Sequence, residues 1–274
     1  MPANEQDQLL SSPSQRNSVS RFARAAGLLA LNFGMDPRGL KASKNMPRFL
    51  RDYRAFTARG GKVAELHPIL GDYDAQAGSG SGQYFHQDLL VASFVYDAAP
   101  RRHIDVGSRI DGFIAHVAAF REIEMMDIRP LEKSAHARIR FLQGDLMRHN
   151  PEWNGVADSV SSLHALEHFG LGRYGDTIDP NGHVTGFRNL SRIVAPGGML
   201  YVGLPIGSQT QVFFNAHRIF APSEPQNWFE EPTTFALERF DYVDDEGNLN
   251  TRADICTMPP LIHGCGIYSF RRLS

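Results

Sequence analysis

The rhythm of apolar and polar positions changes once along this chain, at a Gly/Ser tract covering 78–82. Before it, Phe22, Ala26, Leu29 and Ala30 recur at three- and four-residue intervals, which predicts an amphipathic helix over 20–31. A second helix is predicted from Pro37 and a third from Pro47. In the third, Phe49, Tyr53 and Phe56 keep the same interval among basic residues until Gly60-Gly61 ends it. After the tract, a helix over 84–97 leads into short apolar runs bounded by turn residues. These predict strands at 103–106, 123–126, 138–142, 159–163, 199–204, 235–243 and 267–271, with helices between most of them. Such alternation implies an α/β fold with a largely parallel sheet covered on both faces. Sheets of this kind bind ligands beyond the carboxyl ends of their strands.

The pattern divides the chain into three parts. Residues 1–18 are rich in Ser, Gln and Asn and carry two prolines, which predicts disorder. Residues 19–77 form a helical, basic segment, and 83–274 form the α/β domain. The charge split sharpens this division. Of 28 basic and 30 acidic residues, eleven and two lie between Arg16 and Lys62, which leaves 17 and 28 elsewhere, a balance of −11. A basic arm over 16–62 suits an anionic partner such as a phosphorylated substrate or a membrane surface. A solvated helical face docked on the acidic domain explains it equally well.

No apolar run approaches the ~20 residues that span a bilayer. The longest near the start, 25–31, is flanked by Arg21, Arg24 and Asn32. Two cysteines, Cys256 and Cys265, give neither a disulfide framework nor a zinc motif. A reducing, cytoplasmic setting is expected, with the arm able to reach the inner face of a membrane.

The strand ends carry the candidate chemistry. The first runs into Asp105-Val-Gly107-Ser108-Arg109-Ile-Asp-Gly112, where a glycine lets the backbone turn close to a ligand. Arg109 stands where a dinucleotide fingerprint needs its second glycine. The second strand ends at Asp127-Ile128, with the acid 22 residues beyond Asp105. There it can accept hydrogen bonds from a ribose diol, or merely cap the next segment. After the third strand, Asp145-Leu146 can meet an adenine, and the fourth delivers Leu163 and His164. Val194-Ala-Pro-Gly-Gly198 turns into the fifth.

Together these features resemble the class I S-adenosylmethionine-dependent methyltransferases, over 83–274. The resemblance implies a Rossmann-like sheet, mostly parallel with an antiparallel last strand. It also implies S-adenosylmethionine as cofactor. Asp105, Gly107 and their neighbours Ser108 and Arg109 would border its methionine part, Asp127 and Ile128 its ribose, and Asp145 and Leu146 its adenine, with Leu163 and His164 beside it. A narrower likeness lies in His103-Ile-Asp-Val-Gly-Ser-Arg-Ile-Asp-Gly-Phe113, Glu167-His-Phe-Gly-Leu-Gly-Arg-Tyr-Gly-Asp176 and Phe214-Asn-Ala-His-Arg-Ile-Phe220. These strings are similar to a bacterial family of methyltransferase-like proteins often associated with surface-polysaccharide biosynthesis.

Methyl transfer to a hydroxyl requires alignment and removal of a proton. His168, just past the fourth strand, and His217, beyond the fifth, are candidate bases, of which His168 is the better placed, though each taken singly fits a structural histidine more readily. The loop from Gly170 to Asp176 has three glycines around Arg173. Asp176 is a candidate catalytic carboxylate; Arg173, Asp179, Asn215 and Arg218 are candidate acceptor contacts. Asp176 and Asp179 suit sugar hydroxyls, a divalent ion, or an Asx-turn before Pro180. Three functions follow: an O-methyltransferase acting on a sugar or glycan precursor, a catalytically silent binding module of the same fold, and a nicotinamide-dependent oxidoreductase. Arg109 and the Pro-Gly-Gly turn weigh against the last. Nucleic acid is a poor partner for the acidic α/β domain.

Overall fold

A computed structural model describes residues 42–75, 78, 80–131 and 136–274. The expected disorder over 1–18, the helix over 20–31 and the helix from Pro37 lie outside the described residues, as does much of the basic arm. The chain divides into two compact units between 79 and 80. In the first, helix α1 (Met46–Ala58) has Pro47 in its opening turn, where a missing N–H costs nothing, and it stops before Gly60, whose φ is +88°. A turn over Gly71–Asp74 packs against it: Arg48 lies over the Tyr73 ring at 4.3 Å, and the Tyr73 hydroxyl donates to Asp52.

The second unit holds an eight-stranded sheet. Its strands are β1 (His103–Val106), β2 (Ile123–Asp127), β3 (Ile139–Gln143), β4 (Ala157–Leu163), β5 (Val194–Ile206), β8 (Phe235–Val243), β9 (Leu249–Asn250) and β10 (Gly264–Arg272), in the order β3-β2-β1-β4-β5-β10-β8-β9. Strands β1 to β5 are parallel; β10 runs antiparallel between β5 and β8. All seven strands read from the apolar runs are present. A separate hairpin, β6 (Gln211–Phe213) and β7 (His217–Ile219), has no counterpart among those runs.

Every residue of β1, and all but one of β4, is buried. This is what a strand covered on both faces requires, and the polar side chains they carry, His103, Asp105, Ser159, Ser161 and Ser162, are buried with them. One cover is α2 (Gln83–Ala98) with the short α3 (Ala115–Ala118), where Val91, Val95, Phe113 and Val117 pack on Ile123 and Ile267. The other is α4 (Gly182–Ile193), whose Phe187, Leu190 and Ile193 meet Val160, Leu200 and Val202. Helical cover is thinner than the sequence predicts. The β1–β2 connection opens with a wide turn over Ile110–Ile114, because Gly112 (φ −117°, ψ −112°) passes so close to Asp88 that an added Cβ would lie 2.4 Å from its Oδ2. No described helix is long and apolar enough to cross a membrane.

Candidate functional site

The carboxyl ends of β1 to β4 open on one cleft. From β1 comes Gly107, at φ +76°, with its N–H donated to the Met126 carbonyl at 2.9 Å; an added Cβ would sit 2.8 Å from that of Ala165. From β2 come Asp127, Ile128 and Arg129, and from β3 Gly144, Asp145, Leu146 and Met147. Past β4 come His164, Ala165, His168 and Phe169, and the glycine loop adds Tyr174 and Asp176.

Asp105, expected beside the ligand, lies beneath the loop instead. It is fully buried; Oδ1 accepts from Ser108 N at 3.0 Å, and Oδ2 lies 2.7 Å from Ser108 Oγ and 2.5 Å from Ser161 Oγ. Ser161 continues to His103 Nε2, and His103 Nδ1 to Ser159. Ser108 Oγ also accepts from Leu163 N at 3.1 Å. Asp105, Ser108 and Leu163 therefore shape the β1 turn without lining the cleft. Burial pushes the Asp105 carboxyl up to about 7, against the hydrogen bonds from Ser161 and Ser108. A carboxyl raised above its ordinary 3.8 keeps a proton in the folded state that the unfolded chain gives up. Its contribution to stability is thus lost as pH rises from about 4 to 7. Asp105→Asn should flatten that dependence. The difference in unfolding free energy between wild type and variant should change by a few kcal/mol across this window, on the order of 1.4 kcal/mol for each pH interval of one. Parallel pH profiles in chemical denaturation would refute it.

Arg109 turns out of the cleft. It pairs with Asp111 at 2.8 Å and lies 5.5 Å from the Tyr84 ring. Its φ is −70°, so the turn needs no glycine at this position.

The β4 end holds a buried carboxylate between two imidazoles. His164 adopts φ +53°, uncommon for a side chain of its size, and its Nδ1 lies 3.0 Å from Glu167 Oε1. Glu167 is 1% exposed, and its Oε1 lies 3.8 Å from His168 Nε2. Burial opposes both charges. Cys265 and Glu167 nevertheless raise the His164 pKa well above its ordinary value, and His168 and His164 hold that of Glu167 below its own. His168 Nδ1 lies 2.7 Å from the Ala216 carbonyl, and Arg173 Nη1 donates to the same oxygen at 2.9 Å. The β6–β7 turn is thereby tied to this end of the cleft.

Other expected acceptor residues hold the backbone. Asp176 lines the cleft, but its oxygens accept from the N–H groups of Gly170, Gly172 and Tyr174 at 2.7, 3.3 and 3.2 Å. Asp179 closes an Asx-turn on Asn181 N. Arg218 is 2% exposed and donates to the carbonyls of Glu167, Phe169, Asp179 and Pro180. It is enclosed, not presented to a ligand. His217 is buried against His263, rings 5.4 Å apart, and does not line the cleft; Asn215 is exposed in the β6–β7 turn. Arg129, Glu167 and Tyr174 carry more of the site than the sequence suggests. For Arg129 the signal is an Asp-x-Arg spacing at a strand end. Among the described residues, no group of three His, Cys, Asp or Glu is placed to hold a metal.

A family model described as "Caenorhabditis protein of unknown function, DUF268" matches residues 119–224. No curated protein matches the chain. Among solved structures, the chain is similar to a Burkholderia thailandensis 1,6-didemethyltoxoflavin-N1-methyltransferase with bound 1,6-didemethyltoxoflavin and S-adenosylhomocysteine. The identity is 12% over 84% of this chain and 90% of that one, with a TM-score of 0.50. It is also similar to the N-methyltransferase NodS of Bradyrhizobium japonicum in complex with S-adenosylhomocysteine (15%, 70% and 89%, TM-score 0.45) and to the [4+2]-cyclase SpnF (14%, 85% and 96%, TM-score 0.49). At these identities the likeness speaks for the fold: a Rossmann-like methyltransferase sheet, mostly parallel, with antiparallel strands at one side.

Proposed function

We propose that the protein is an S-adenosylmethionine-dependent methyltransferase, with the cofactor in the cleft at the ends of β1 to β4. One observation carries this reading. Gly107, Asp127, Asp145 with Leu146, and His164, from four separate strand ends, line a single cleft. In it, Asp145 and Leu146 would hold the adenine, Asp127 the ribose, and Gly107 the methionine part. The first structural relative is described with S-adenosylhomocysteine, which supports the same cofactor. The fold alone does not decide the reaction.

For the acceptor we propose a hydroxyl of a sugar or glycan precursor, in keeping with the resemblance of the His103–Phe113 and Glu167–Asp176 strings, with His168 taking the proton. The basic arm over 16–62 would bring the enzyme to an anionic surface or carrier. A binding module without turnover is the second reading, favoured by the occupation of Asp127 by Arg129.

Titration calorimetry with S-adenosylhomocysteine tests the cofactor. Asp127→Ala should weaken binding by about 1.5–3 kcal/mol, the scale of a hydrogen bond to a charged group. No binding by the wild type would overturn the reading; unchanged affinity in the folded variant would remove Asp127 from the site.

A further inference from the structure

Arg129 is a cleft residue to which the proposed function gives no part. It follows Asp127 by two positions, and its backbone N and Nε donate to Asp127 Oδ1 at 2.8 and 3.0 Å, while Nη2 donates to Oδ2 at 2.7 Å. Its guanidinium lies 4.4 Å from the centroid of the Tyr174 ring. The Asp127 side chain is 6% exposed and that of Arg129 is 51% exposed. The pair is thus a buried carboxylate held by a half-exposed cation, with an aromatic platform beneath the cation.

A carboxylate offers about four lone-pair positions, and Arg129 fills three of them. A ribose diol needs two. The ribose can therefore settle on Asp127 only if at least one side-chain bond to Arg129 is given up. The guanidinium stays charged whatever its partner. It then needs another anion. The other carboxylates lining the cleft are engaged: Asp145 accepts from Met147 N and faces Arg148, and Asp176 holds three backbone N–H groups. Tyr174 belongs to the glycine loop on the acceptor side, so a guanidinium resting on its ring stays at the mouth of the cleft. A planar fork on an aromatic platform is the arrangement that grips carboxylate or phosphate through two parallel hydrogen bonds.

We infer that Arg129 is an anion subsite for the acceptor, uncovered when the cofactor ribose takes Asp127. The inference rests on the cofactor reading above and narrows the acceptor to one bearing a carboxylate or phosphate group near the reacting hydroxyl. It also sets an order: cofactor first, acceptor second. By linkage, an oxyanion on Arg129 must strengthen cofactor binding by the factor with which the cofactor strengthens anion binding.

The test is calorimetry of S-adenosylhomocysteine with wild type, Arg129→Ala and Arg129→Gln, at matched ionic strength in chloride, acetate or inorganic phosphate. In chloride, both variants should bind about 5–10-fold tighter than wild type, because the competing ion pair is gone. In wild type, phosphate or acetate should tighten binding by about 5-fold, at the lower end of usual couplings. Neither anion should do so in the variants. The more effective anion identifies the group carried by the acceptor. Variants that bind no tighter than wild type, or an anion effect equal in all three proteins, would overturn the subsite and leave the cofactor reading standing. Absence of binding by all three proteins would overturn both.

Discussion

Replacing His168 by alanine should lower turnover about 10²–10⁴-fold, the usual contribution of a positioned general base, with cofactor affinity nearly unchanged. Nδ1 of this residue faces the Ala216 carbonyl at 2.7 Å, so in the neutral ring that nitrogen carries the hydrogen. The lone pair then falls on Nε2, the atom on the side of the buried Glu167 carboxylate, 3.8 Å away. Tyr174 packs edge-on against the same ring, with centroids 5.5 Å apart, and limits its rotation. The measurement is formation of S-adenosylhomocysteine with any acceptor that supports turnover, alongside calorimetry for the cofactor. Turnover within about threefold of wild type would exclude general-base help on the scale known for such groups.

The second large effect concerns stability. Arg218→Met should destabilise the fold by about 1–3 kcal/mol for each buried carbonyl it leaves without a donor. Its guanidinium is enclosed and ties the carbonyls of Glu167 and Phe169 to those of Asp179 and Pro180. Methionine keeps the apolar stem but removes the donors that Arg218 gives these oxygens, of which that of Asp179 keeps the Gly182 N–H, and removes a cation near Glu167. Burial lowers the Arg218 pKa, and Asp179, Asp176 and Glu167 offset part of that. Guanidinium-chloride unfolding gives the number directly. A loss below about 0.5 kcal/mol, typical of a surface position, would mean that the network contributes little.

The sheet is legible in the sequence because its central strands are buried on both faces. Val106, Ile123, Val160, Leu200 and Ile267 are buried apolar residues in short segments bounded by turn residues. The turn at Gly107 and the spacing from Asp105 to Asp127 are legible for a related reason: both are set by the chain's own geometry over one β-turn-β unit. What escapes depends on partners distant in sequence. Nothing near Arg218 announces that its donors meet carbonyls 38 to 51 residues away. His217 sits in a three-residue strand, too short for alternation to show which face it takes. Asp105 and Asp176 stand out as carboxylates near the ligand, yet sequence does not say that backbone N–H groups and hydroxyls claim their oxygens first. Glu167 stands beside a conspicuous histidine, but its worth comes from the His164 ring turned back toward it.

The place of β10 has a consequence for biosynthesis. Strands β1 to β5 can pair side by side as they leave the ribosome, but the neighbour that covers the outer edge of β5 begins only at Gly264, after β6 to β9 have been made. At usual elongation rates of about 5–20 residues per second, that interval lasts roughly 3–12 s. For those seconds the segment Met199–Ile206 of β5 leaves its outer backbone edge unpaired, a template for pairing with another nascent chain. The growing polypeptide is thus a natural client for chaperones that hold extended apolar segments, and its yield in a foreign host depends on how quickly that last interior strand arrives.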